Sequence, residues 1–170
     1  MELSVTQENF ARALSIVGRV ASNRTGLPIL SNILLRTDGT RLLVAATNLE
    51  IAATCYVGAK VVRQGDITLP ARLVSDYVGS LPKGTIELSS KGTSMTISSG
   101  NYSSIMTGVD ATEFPELPSI DEKQAVTYTI AEADFKQAIS QTIITTSNDT
   151  SRPVLTGVYW HTDGGQLYLA

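Results

Sequence analysis

The chain's 170 residues, 42% hydrophobic and 17% charged, suit one to one and a half packed globular domains, and no run of about 18 apolar residues marks a membrane span. A single cysteine, Cys55, excludes an internal disulfide framework and a cysteine-cluster zinc site; the start, Met1-Glu2-Leu3-Ser4-Val5-Thr6, has no basic stretch leading into an apolar one, so no secretory leader and a cytoplasmic location are expected. A net charge of −3 argues against a tight grip on nucleic acid, which needs many phosphates neutralised, unless the charges are segregated on the surface.

The first element is a short strand over 3–5. Thr6 suits the cap of the next helix, and Glu8 in its first turn suits the helix dipole. Helical spacing runs over 7–21, with Phe10, Ala13, Leu14, Val17, Val20 and Ala21 on one face. A polar loop over 22–26 and Pro28 follow. The pattern then turns to β: strands over 29–37 and 41–46 about an Asp38-Gly39 turn, then 48–57 and 66–69. Pro70 opens a second helix with Leu73, Val74, Tyr77, Val78 and Leu81 on one face, and Pro82-Lys83-Gly84 ends it. Short strands over 86–90, 94–98 and 102–107 come next. Pro115 and Pro118 make 110–120 an extended linker. The order then restarts, with a strand over 126–130, a helix over 132–144, a strand over 154–162, an Asp163-Gly164-Gly165 turn and a strand over 166–170. The expected fold is α+β, with two helices packed on a largely antiparallel sheet.

The restart is a repeat. Shifted by 125 residues, 3–45 lies against 128–170 without a gap, and 13 of the 43 positions are identical, Phe10/Phe135, Pro28/Pro153, Asp38/Asp163 and Gly39/Gly164 among them. A unit of about 125 residues is an ordinary domain size. The expected organisation is a complete first domain over 1–120, a linker over 121–125, and the start of a second domain over 126–170, its remainder lying beyond Ala170.

Four motifs in order, Thr25-Gly26-Leu27-Pro28-Ile29-Leu30, Thr47-Asn48-Leu49-Glu50, Leu69-Pro70-Ala71-Arg72 and Glu113-Phe114-Pro115, resemble the bacterial DNA polymerase III beta subunit family of sliding clamps, over essentially the whole chain. The resemblance implies a DNA-clamp fold of repeated domains, three to a protomer. Two protomers would form a homodimeric ring when full length, with helices lining the hole and sheets outside. It implies double-stranded DNA bound without sequence preference, DNA polymerase III, the clamp loader and other clamp-binding peptides as partners, no catalysis and no cofactor. A 170-residue chain is not expected to close such a ring by itself.

On a helical wheel Arg12 and Arg19, seven apart, point the same way within about 20°, opposite Phe10, Leu14 and Val17. The plain reading is two solvated charges on an ordinary exposed helix face. The resemblance makes that face DNA-facing, and matches Arg24, Arg72 and Arg152 to positions at which related clamps touch DNA. Lys136 occupies the corresponding helix face of the second copy. Acidic residues fall mainly in strands, turns and the linker, which divides the charge into a sparse basic interior and an acidic exterior. Few phosphate contacts would keep sliding easy while ring topology retains the DNA. The resemblance also matches Arg152 and Leu155 to part of a partner-peptide groove, and Leu73, Tyr77, Ile105 and Met106 to the dimer seam. Leu73, Tyr77 and Leu155 are equally well explained as core residues.

No catalytic constellation is legible. His161 is the one histidine and sits in an expected strand beside Trp160; Cys55 reads as a small buried strand residue; no phosphate-binding glycine motif precedes a helix. Two rival readings remain. One is a repeat-built α+β adaptor that does not bind DNA. The other is a hydrolase whose catalytic residues lie beyond Ala170.

Overall fold

Strand β1 (Glu2–Thr6) runs directly into helix α1 (Gln7–Val17). Thr6 takes the cap position, but its side chain caps nothing. The buried Gln7 does that work instead: its backbone N–H donates to the Gly84 carbonyl at 2.8 Å, and its Nε2 donates to the Val78 carbonyl at 2.9 Å. The start of the helix is thereby fixed to the far end of the second helix. In the computed structural model, which describes residues 1–21, 26–118 and 127–170, α1 stops at Val17, four residues short of its apolar periodicity. The Gly18 N–H closes the helix on Leu14, and a Cβ at Gly18 would meet the Leu14 carbonyl oxygen at 2.8 Å.

Pro28–Ser31 is a 3-10 turn where the sequence suggests the beginning of a strand; Pro28 fixes φ at its start. Strands β2 (Asn32–Asp38), β3 (Arg41–Thr47), β4 (Ala52–Gly58), β5 (Lys60–Arg63) and β6 (Asp66–Pro70) follow. Helix α2 (Ala71–Ser80) and strands β7 (Thr85–Lys91), β8 (Ser94–Ser99) and β9 (Tyr102–Thr107) complete the series. The four-residue β5 is not apparent in the sequence pattern.

Every ladder is antiparallel, in two sheets ordered β5-β1-β7-β8-β9 and β4-β3-β2-β6. The halves are β1, α1 and β2–β5, then β6, α2 and β7–β9, each a strand, a helix and a run of strands. The first strands are exchanged: β1 joins β7–β9, and β6 joins β2–β4. The exchange ties the halves into one core, in which Phe10, Leu14 and Val17 of α1 and Val74 and Val78 of α2 meet the inner faces of both sheets. Each fully buried aliphatic or aromatic side chain there contributes roughly 1.5–3 kcal/mol.

The segment expected as an extended linker folds back instead. Ala111–Glu113 is a 3-10 turn capped by Asp110, and Ala111 and Phe114 cover Leu34, Leu43 and Ala45 on the outer face of β2 and β3. Those two strands are therefore buried on both faces, which accounts for their nearly unbroken apolar sequences.

The chain divides into two units, Met1–Ser119 and Ile120–Ala170. In the second, α3 (Glu132–Thr142) begins and ends 125 positions after α1, and a 3-10 turn at Pro153–Thr156 matches Pro28–Ser31. The hairpin of β10 (Trp160–Asp163) and β11 (Gln166–Leu169) turns at Gly164, φ 56°, as β2 and β3 turn at Gly39, φ 58°. The strand expected over 126–130 is absent among its described residues, 127–130. Its counterpart β1 pairs with β5 and β7, and nothing within the 170 residues corresponds to those partners in the second unit. The linker expected over 121–125 lies outside the described residues.

Candidate nucleic-acid interface

Helices α1 and α2 pack side by side and leave a shared outer surface. Leu14, Ser15, Gly18 and Arg19 face Ala71, Arg72, Ser75 and Asp76 across a groove. A second groove on the other flank of α1 is lined by Asn9, Arg12 and Ile16 against residues 55–58 of the edge strand β4. Arg12, Arg19 and Arg72 are all exposed. Because α1 ends at Val17, Arg19 belongs to the following turn and borders the α2 groove, while Arg12 borders the β4 groove. Arg24 lies outside the described residues.

The helix face also carries anions, so the charge division expected from sequence is incomplete. Arg72 Nε lies 3.7 Å from Asp76 Oδ2, with the arginine side chain 95% exposed. Lys83 Nζ donates to Glu8 Oε1 at 2.7 Å, and this hydrogen bond holds the Glu8 carboxyl below its usual range and raises Lys83. In the second unit Lys136 pairs with Glu132 one turn earlier on α3. Arg12 and Arg19 have no ion-pair partner among the described residues. The signal for Asp76 and Glu132 was available in the sequence as opposite charges four residues apart on one helix face, whereas the Glu8–Lys83 pair joins distant parts of the chain. Elsewhere, Asp66 binds Arg36 at 3.1 Å and Asp38 binds Arg41 at 2.7 Å, and the Arg41 guanidinium also stacks 4.4 Å from the Tyr56 ring centroid.

The expected seam residues separate. Leu73 is exposed on α2, and Tyr77 is half-buried with its hydroxyl 3.5 Å from the Ile97 carbonyl. Ile105, 72% exposed, and Met106, 3% exposed, point to opposite faces of β9. Met106 belongs to the core and is withdrawn from the candidate seam. Strand β9 is an edge of its sheet, with no strand paired on one side among the described residues.

Arg152 caps the Pro153–Thr156 turn and is exposed. Leu155 is 49% exposed, but its counterpart Leu30 in the first unit is 0% exposed. The exposure of Leu155 therefore does not by itself define a groove. His161 lies between the rings of Tyr159 and Tyr168, at 6.1 and 6.3 Å, with no nucleophile in that arrangement. Cys55 is half-buried beside α1. Among the described residues no three metal-ligating side chains gather, and no helix is long and apolar enough to cross a membrane.

Two helices backed by two antiparallel sheets with exchanged first strands, begun again 125 residues later, define a DNA-clamp fold, as expected from the sequence. The chain belongs to the DNA polymerase III beta subunit family: residues 1–118 match its description "DNA polymerase III beta subunit, N-terminal domain". A beta sliding clamp of Synechococcus elongatus is 35% identical over 164 residues, covering 94% of this chain and 43% of the relative. The crystal structure of the Bacillus subtilis DNA polymerase sliding clamp superposes with a TM-score of 0.93 at 26% identity, over 99% of this chain and 46% of that one. The DNA polymerase III beta subunit of Pseudomonas aeruginosa gives 0.90 at 27%, over 98% and 45%. The chain thus spans less than half the length of these relatives. They do not favour the adaptor reading.

Proposed function

We propose that this chain is the amino-terminal part of a sliding clamp, which encircles duplex DNA and tethers the replicative polymerase without catalysis of its own. Residues 126–170 begin its second clamp domain. The observation that carries the reading is the structural repeat: α1 and α3, with their following turns and hairpins, recur in one register within a fold shared with proteins named as sliding clamps. Arg12, Arg19, Arg24, Arg72, Lys136 and Arg152 are the DNA-facing candidates. A few such contacts bind backbone phosphate without reading sequence. Polymerase, clamp loader and other peptide-bearing partners dock elsewhere on the full protein, with Arg152 and Leu155 at one margin of their groove. Leu73, Tyr77 and Ile105 contribute to a homodimer seam, and the site of action is the cytoplasmic nucleoid.

The test is the double substitution Arg24→Ala, Arg72→Ala in the full-length protein. Loading onto primed circular DNA and polymerase processivity should both fall, with the melting temperature unchanged. Wild-type loading and processivity in that variant would remove the DNA-facing assignment.

A further inference from the structure

Asp76 stands one helical turn after Arg72, and both line the groove that also holds Arg19. Helix stability does not explain the pair. Arg72 is the second residue of α2, and no acidic residue occupies that first turn. A cation there opposes the helix dipole, and a cation placed N-terminal to its anion at this spacing is the less favourable order. The pair is also largely solvated at 3.7 Å, the kind of contact that adds little to a fold. The Glu132–Lys136 pair on α3 has the favourable order, and ordinary helix stabilisation accounts for it.

We infer that Asp76 is a positioning residue for DNA, an internal competitor that draws the Arg72 guanidinium away from backbone phosphate and weakens the grip of the helix face. The inference rests on the DNA-facing reading. A phosphate reaching Arg72 must approach the negative charge of Asp76, whose Oδ2 stands 3.7 Å from the Arg72 Nε. The guanidinium thus exchanges between a carboxylate on the protein and successive phosphates on the duplex, and each release is assisted by a ready partner. Arg12 has no such partner among the described residues, since the carboxylate four residues before it, Glu8, is held by Lys83. The two grooves therefore grip differently: the β4 side through an unopposed arginine, the α2 side through a damped one.

The experiment measures binding of the chain to a short fluorescent duplex by anisotropy between about 50 and 200 mM salt. Asp76→Asn should tighten binding about two- to fivefold at the lower salt, the range spanned by an exposed ion pair. It should also steepen the salt dependence by up to about one phosphate's worth. Both effects should vanish in an Arg72→Ala background. Asp76→Ser should repeat them, which excludes a peculiarity of the amide. Glu113→Gln, which removes a charge from the outer segment over β2 and β3, should change neither. Unaltered binding in Asp76→Asn, or equal tightening in Glu113→Gln or with Arg72 absent, overturns the inference. If Arg72→Ala weakens binding while Asp76→Asn leaves it unaltered, the inference alone fails. If wild-type binding is indifferent to salt and to Arg12→Ala and Arg72→Ala, the DNA-facing reading fails with it.

Discussion

Leu49 has φ 75° and is the one non-glycine residue with positive φ among those described. Its conformation costs an L-residue roughly 1–2 kcal/mol. The neighbours hold it in place: Thr47 Oγ1 accepts from the Leu49 N–H at 3.1 Å and donates to the Ile51 carbonyl at 2.9 Å, and Asn48 Oδ1 accepts from the N–H groups of Glu50 and Ile51 at 3.0 and 2.8 Å. The Leu49 side chain is exposed, so little burial would be lost on its removal. Leu49→Gly should leave stability unchanged or raise it by up to about 1 kcal/mol in urea unfolding, while Asn48→Ala should lower it by about 1–2 kcal/mol. A clear loss in Leu49→Gly would show that the leucine side chain makes contacts of its own. Gly108 presents the opposite case. Its φ is ordinary, but a Cβ there would sit 2.0 Å from the Thr68 carbonyl oxygen, where β6 meets Val109. Gly108→Ala should cost about 3 kcal/mol or more, because backbone rather than a movable side chain must give way.

At the scale of elements, the helices and most strands were legible because apolar spacing reports which face is buried. Spacing does not report which strand lies alongside, so the exchange of β1 and β6 between sheets left no trace in the pattern. The over-long first helix has a similar cause. Val20 and Ala21 continue the apolar period and still pack against the core, but from a turn after Gly18. The prolines of 110–117 suggest an extended linker, yet β2 and β3 carry the clue to its folding back, being apolar on both faces and so requiring two covers. Phe114→Ala should cost about 3–5 kcal/mol by uncovering Leu34, Leu43 and Ala45. The segment should also respond to acid. The Thr112 N–H and then its hydroxyl donate to the Asp110 carboxylate, at 2.9 and 2.7 Å, holding it below the usual carboxylate range. A carboxyl with a lower pKa folded than unfolded stabilises above its unfolded value, and that contribution is lost as pH falls through the depressed folded value. Amide protection at Thr112 should therefore fade over that acidic window. Asp110→Asn should flatten the response, and an unchanged profile in the variant would assign the acid sensitivity to other groups.

For the whole molecule, the two copies of one local fold differ in what surrounds them. Phe10 is fully buried among residues of both helices and both sheets. Its equivalent Phe135 is half-buried, meets Trp160 edge-on at 5.5 Å, and belongs to a helix with no buried residue. The helix bounds agree between the copies, so the difference lies in what packs around the two rings and not in the length or register of the helix that carries them. Phe10→Ala should cost about 3–5 kcal/mol in the 170-residue chain, as a fully packed core phenylalanine does. Phe135→Ala should cost less than about 1 kcal/mol, because most of its ring has no core to leave. Hydrogen exchange read residue by residue should agree, with slow amides in the first unit's strands and fast ones in α3. Extending the chain with the remaining strands and helix of a second domain should raise the cost of Phe135→Ala toward that of Phe10→Ala. A large penalty for Phe135→Ala without such an extension would mean that the second copy completes its core by another route, association with a second chain being the first to test by light scattering.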